Sequence, residues 1–129
     1  MVFATSTKIN SVVIPDSVLR IEDSAFSSIN GLTSVVMGKK VQYIGSFAFS
    51  NCKNLKNISI PDSVTEIGIY AFSGCGLTNV KIGNGLKKIE GNTFSNCSNL
   101  TSITIGEEVT SIERNAFYSC TNLLSINIP

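Results

Sequence analysis

The sequence contains no histidine, which removes the commonest general base and metal ligand. It has no G-x-S-x-G motif and no phosphate-binding glycine loop, so neither hydrolase nor nucleotide chemistry has its usual local signature. Charge is scarce as well: 15% of the 129 residues are charged, and 10 Lys plus Arg against 9 Asp plus Glu leave a formal net charge of +1. With no long segment dominated by one sign, nucleic acid and anionic membrane are poor partners. No stretch approaches the roughly 18 apolar residues of a membrane-spanning helix. Residues 1–10 lack the basic and apolar regions of an export signal.

What is present is repetition. Hydrophobic residues make up 43% of the chain, a globular composition suited to one domain. Phe26, Phe49, Phe72, Phe94 and Phe117 are separated by 23, 23, 22 and 23 residues, and a fixed period of this size outranks every other sequence signal. The same apolar positions recur around each phenylalanine. In one copy they are Leu55, Ile58, Ile60, Val64, Ile67, Ala71, Phe72 and Cys75; in the next, Leu77, Val80, Ile82, Leu86, Ile89, Thr93, Phe94 and Cys97. The copy that is one residue short loses it between Cys75 and Leu77, in a loop, where a deletion costs least.

Leu100, Ile103 and Ile105 show the spacing L-x-x-I-x-I, whose last two apolar residues alternate with polar ones as in a strand with one buried face. Pro15, Gly38, Pro61, Gly83, Gly106 and Pro129 follow the strands and turn the chain. The segments Val64 to Ile67 and Val109 to Ile112 place apolar residues at i and i+3, which fits a twisted strand or one helical turn. The pattern A-F-x-x-C at Ala116, Phe117 and Cys120 predicts a short helical turn, with Glu113 near its unpaired amides. Asn54, Asn99, Asn122, Gly31 and Gly76 occupy a position that favours left-handed backbone. Each copy buries about eight residues and cannot close a core alone; stacking closes it.

The run Ile60 to Cys75, I-P-D-S-V-T-E-I-G-I-Y-A-F-S-G-C, resembles the BspA-like class of leucine-rich repeats, and the resemblance covers about residues 9–129. It implies a leucine-rich repeat solenoid: a right-handed β/α superhelix, mainly β with short helical turns, with a parallel β-sheet on one face. Residues 1–129 are expected to form one domain of about five and a half repeats, a segment of a longer protein. The resemblance further implies a cell-surface or secreted parent and a non-enzymatic protein-binding or adhesion module, with a host surface or matrix protein as ligand. A structural repeat that self-associates through uncapped solenoid ends is the alternative, since the stretch Thr5 to Val13 begins abruptly and Ser125 to Pro129 stops on a strand. No cofactor is expected.

Four constellations remain. Cys52, Cys75, Cys97 and Cys120 share one repeat position and should form a column about 5 Å apart. Side chains projecting in parallel do not converge for a disulfide or for tetrahedral zinc, so buried free thiols are expected ahead of either. Glu90 and Glu113 share a position in adjacent copies, near the separation used by retaining glycosidases. No cleft is evident around them, and solvated carboxylates with Arg114 as neighbour is the expectation, leaving no catalytic or metal residue. The outward strand residues define a candidate binding face: Val13, Ser34, Val36, Asn57, Ser59, Asn79, Lys81, Ser102 and Thr104. It is polar and nearly uncharged, and reads either as a weak, avidity-dependent surface or as a plain solvated sheet. Tyr43, Phe47 and Tyr70 form a secondary patch, large residues at variable positions that either mark an interaction site or pack along the turn.

Overall fold

The structure, a computed structural model, describes residues 9–128. Each repeat forms one coil of a parallel β-solenoid, contributing a strand of two to four residues on each of two sides. On the first side lie β1 (Ser11–Val13), β3 (Ser34–Val36), β5 (Asn57–Ile60), β7 (Asn79–Ile82), β9 (Ser102–Thr104) and β11 (Ser125–Asn127). On the second lie β2 (Arg20–Ile21), β4 (Tyr43–Ile44), β6 (Glu66–Ile67), β8 (Lys88–Ile89) and β10 (Ser111–Ile112). All pairings are parallel and match equivalent residues, as in Ile58 with Val80 and Ile21 with Ile44. The V-T-E-I type of segment therefore resolves as a strand two residues long.

Neither side is a single ladder. The first divides into β1–β3 and β5–β7–β9–β11, the second into β2–β4–β6 and β8–β10. The break between β6 and β8 falls across the two coils related by 22 rather than 23 residues.

Among the described residues there is no helix, which corrects the expected helical turns. The A-F segments are runs of turns, and the backbone explains why. In every coil the residues two before and two after the phenylalanine adopt positive φ: Ser24 and Ser28, Phe47 and Asn51, Tyr70 and Gly74, Asn92 and Asn96, Asn115 and Ser119. Left-handed residues at that interval cannot continue a right-handed helix. They turn alternate amides along the solenoid axis instead, so that Phe49 donates to the carbonyl of Ala71 at 2.8 Å and Asn51 to that of Ser73 at 2.7 Å. The turn side thus has its own inter-coil hydrogen bonds. Asn54, Asn99, Asn122, Gly31 and Gly76 are not among the positive-φ residues. Asn54 and Asn122 instead donate through their side-chain amides to the carbonyls of Asn30 and Ser98 in the preceding coils. Pro129 lies outside the described residues.

The core is a bundle of columns. Phe26, Phe49, Phe72, Phe94 and Phe117 stack with centroids 5.3, 5.3, 5.5 and 5.6 Å apart. The leucine, isoleucine and valine columns lie beside them, and Leu32, Leu55, Leu77 and Leu100 have no exposed surface. Thr93, where other coils have alanine, is buried at no polar cost because its hydroxyl donates to the Glu90 carbonyl at 2.7 Å.

Candidate functional site

On the first side, alternation buries Ile58, Val80 and Ile103 and leaves the intervening residues outward. The register aligns Asn57, Asn79, Ser102 and Ser125 in one outer row, and Ser59, Lys81, Thr104 and Asn127 in the next. Within the first row Ser102 Oγ donates to Asn79 Oδ1 at 2.6 Å. Such a row of short amides and hydroxyls presents paired donors and acceptors at strand spacing.

The β5, β7 and β9 members of these rows line an open depression of about 510 Å³ together with Ser34, Thr33 and Val35. It straddles the break between β3 and β5. Seven of the expected face residues are therefore brought together: Ser34, Asn57, Ser59, Asn79, Lys81, Ser102 and Thr104. Val13 and Val36 are paired with each other on the separate β1–β3 sheet, 70% and 55% exposed, and do not line it. Thr33 and Val35 were not anticipated, because nothing in the sequence marks where the ladder breaks.

The secondary patch divides into two environments. Phe47 and Tyr70 stack with centroids 4.9 Å apart and planes 5° from parallel, and Phe47 stays 41% exposed. Tyr43 stands apart from this stack: the Arg20 guanidinium lies 4.3 Å from its ring centroid, and its hydroxyl donates to Asp23 Oδ1 at 3.1 Å. Burial raises the Tyr43 pKa, and the hydrogen bond to Asp23 raises it further. Arg20 also pairs with Glu22 at 3.2 Å. Arg20 and Asp23 were missed in the sequence, where their partners 23 and 20 residues away are not adjacent in any pattern.

The cysteine column is a column of free thiols. Each donates to the carbonyl of the phenylalanine one coil back: Cys52 to Phe26 at 3.2 Å, Cys75 to Phe49 at 3.0 Å, Cys97 to Phe72 at 3.1 Å and Cys120 to Phe94 at 3.0 Å. Burial raises the Cys75 and Cys120 pKa values and pushes that of Cys97 up to about 12. A neutral thiol is a poor nucleophile. The acidic pair is likewise occupied: Lys88 Nζ lies 3.5 Å from Glu90 and 3.4 Å from Glu113, so Lys88 rather than Arg114 is their neighbour. The two carboxylates raise the Lys88 pKa, Glu113 most strongly. Among the described residues no group of histidine, cysteine and carboxylate side chains is arranged to hold a metal ion, and no helix is long and apolar enough to cross a membrane.

The sequence profile of the family described as "BspA type Leucine rich repeat region" matches in six copies, over residues 1–75 and 21–129. No curated protein matches the sequence. Among solved structures, a leucine-rich repeat protein from Eubacterium ventriosum is similar with 28% identity and a TM-score of 0.88 over 97% of this chain and 33% of that one. A leucine-rich cell surface protein from Faecalibacterium prausnitzii is similar with 26% identity and a TM-score of 0.61 over 96% of this chain and 42% of that one. A leucine-rich repeat protein from Bacteroides ovatus, at 24% identity and a TM-score of 0.71, covers 98% of this chain and 39% of its own and shares the fold. The chain spans a third to two-fifths of the length of these proteins.

Proposed function

From the premise that this chain belongs to the BspA-type leucine-rich repeat family, we infer that it is a non-enzymatic protein-interaction module whose ligand lies across the first-side sheet. The observation that carries the reading is the in-register polar face of β5, β7 and β9, with Asn57, Asn79, Ser102 and Lys81 lining one open depression. A depression this open buries little of a small molecule but suits the surface of another protein. With one charge and no exposed aromatic in the rows, each contact is weak, so affinity would come from many copies presented together. That is how an adhesin on a cell surface operates, and the similarity to a leucine-rich cell surface protein favours such a location for the parent protein. A host surface or matrix protein is the proposed ligand class.

The test immobilises the purified chain at high density beside Lys81→Glu and Val36→Asp variants and exposes all three to host surface and matrix proteins. Capture of one protein by the natural chain, lost with Lys81→Glu and kept with Val36→Asp, supports the depression as the site. Equal capture by all three, or none, overturns it.

A further inference from the structure

Phe47 and Tyr70 are placed where the fold gives them no reason to be. Their positions require left-handed backbone, φ 59° in both, and the equivalent residues of the other coils are Ser24, Asn92 and Asn115. A bulky aromatic residue in that region is an outlier, and such strain gathers at sites of function. The core does not ask for it, because the buried ring column two residues on is already complete.

The stack is closed on one side only. Tyr70 of the third coil covers one face of Phe47, the equivalent position in the first coil is held by the small Ser24, and no second ring meets Phe47 among the described residues. Four residues earlier in the same two coils the equivalent space is filled: Arg20 of the first coil lies over the Tyr43 ring of the second, with its guanidinium held by Glu22. Beside Phe47 the first coil again supplies a carboxylate. Asp23 Oδ1 accepts the Ser46 N–H at 2.9 Å and the Tyr43 hydroxyl at 3.1 Å, which fixes the group against the chain next to Phe47. Both hydrogen bonds use the same oxygen, and Asp23 remains exposed.

We propose that Phe47 and Asp23 form a receptor for an arginine side chain of a partner protein, its guanidinium lying on the open face of Phe47 above Ser24 and donating to the second carboxylate oxygen of Asp23. The ring face attracts a cation, and the planar, weakly hydrated guanidinium stacks where an ammonium does not. The carboxylate selects a cation over a neutral aromatic or a sugar. None of Asp23, Ser24 and Phe47 lines the depression, so this surface stands whatever the fate of the sheet-face reading.

The test is an NMR titration of the natural chain with blocked arginine amide, beside blocked lysine amide, blocked tryptophan amide, a methyl glycoside and sodium chloride at matched ionic strength. The expected result is a saturable shift of the Phe47 ring and the Ser24 and Ser46 amides with arginine. Phe47→Asn, which installs the residue of the fourth and fifth coils, abolishes it. Asp23→Asn keeps the Oδ1 acceptor, removes the charge and weakens binding about two- to fivefold. No saturable shift, a shift that survives in Phe47→Asn, or equal or tighter binding of tryptophan or glycoside overturns the proposal. An unchanged affinity in Asp23→Asn overturns the role of the carboxylate.

Discussion

The thiol of Cys97 donates to the carbonyl of Phe72 at 3.1 Å, tying the cysteine column to the phenylalanine column one coil away. The bond needs the protonated thiol, and Cys97 has no exposed surface. Its pKa in the folded chain is pushed up to about 12, against an unfolded value near 8.5. A group whose folded pKa is raised contributes stability that is complete below the unfolded pKa and lost as pH rises towards the folded one. Melting temperature should therefore fall between about pH 9 and pH 12, and the fall should be smaller in Cys97→Ala. The same burial makes thiol reagents react first with half-buried Cys120, with Cys75 and Cys97 labelled only as the chain unfolds. Rapid labelling of Cys97 in the native chain, or equal pH slopes for the two proteins, would contradict this.

Gly74 combines φ 72° with a close approach, since a Cβ built on it would meet Asn51 Oδ1. Asn51, Asn96 and the serines Ser28 and Ser119 take the same left-handed backbone position in the other coils. Gly74→Ala should accordingly lower stability by about 1 to 3 kcal/mol in urea unfolding, with an unchanged m-value. A neutral result would show that the Asn51 side chain gives way and that left-handed backbone at this position is easily borne.

Lys88 bridges Glu90 and Glu113 across two coils. The ammonium is exposed, so solvent and salt screen the attraction. Lys88→Gln should lower the melting temperature slightly at low salt and not at all at high salt. Glu90→Gln and Glu113→Gln should leave capture by the sheet face intact. Loss of any turnover in either glutamine variant would revive the carboxylates as a catalytic pair and sink the non-enzymatic reading.

The columns were legible because stacking copies the same residue type into the same place: period, strand alternation and the free thiol column all follow from spacing alone. The turn segment was not. Ala116, Phe117 and Cys120 carry a helical spacing, and the left-handed residues that break it are as unlike as Ser24, Phe47 and Tyr70. The usable signal is Asn51, Asn92, Asn96 and Asn115 flanking the phenylalanines, residues that tolerate positive φ, and not Asn54 and Asn99. The break between β6 and β8 falls at the coil that is one residue short, but the break between β3 and β5 has no such mark in the repeat, so the placing of Thr33 and Val35 in the depression, and of Val13 and Val36 outside it, is visible only in the fold.

Phe72 is the residue whose loss should say most about how the coils cooperate. It is fully buried, with Phe49 at 5.3 Å on one side and Phe94 at 5.5 Å on the other. Phe72→Ala removes a ring from the middle of a column whose neighbours are held by their own inter-coil hydrogen bonds, so the hole cannot collapse, and the cost should be about 3 to 5 kcal/mol. The position matters more than the amount. The first-side ladder already breaks between β3 and β5 and the second between β6 and β8, so Phe72 lies in the coil that touches both breaks. In a linear array each coil couples only to its neighbours. With the central ring gone, the coils on either side should unfold in two separate transitions by calorimetry, whereas Phe94→Ala should lower one shared transition. A single transition in both variants would mean that the turn-side hydrogen bonds and remaining apolar columns carry the coupling without the ring.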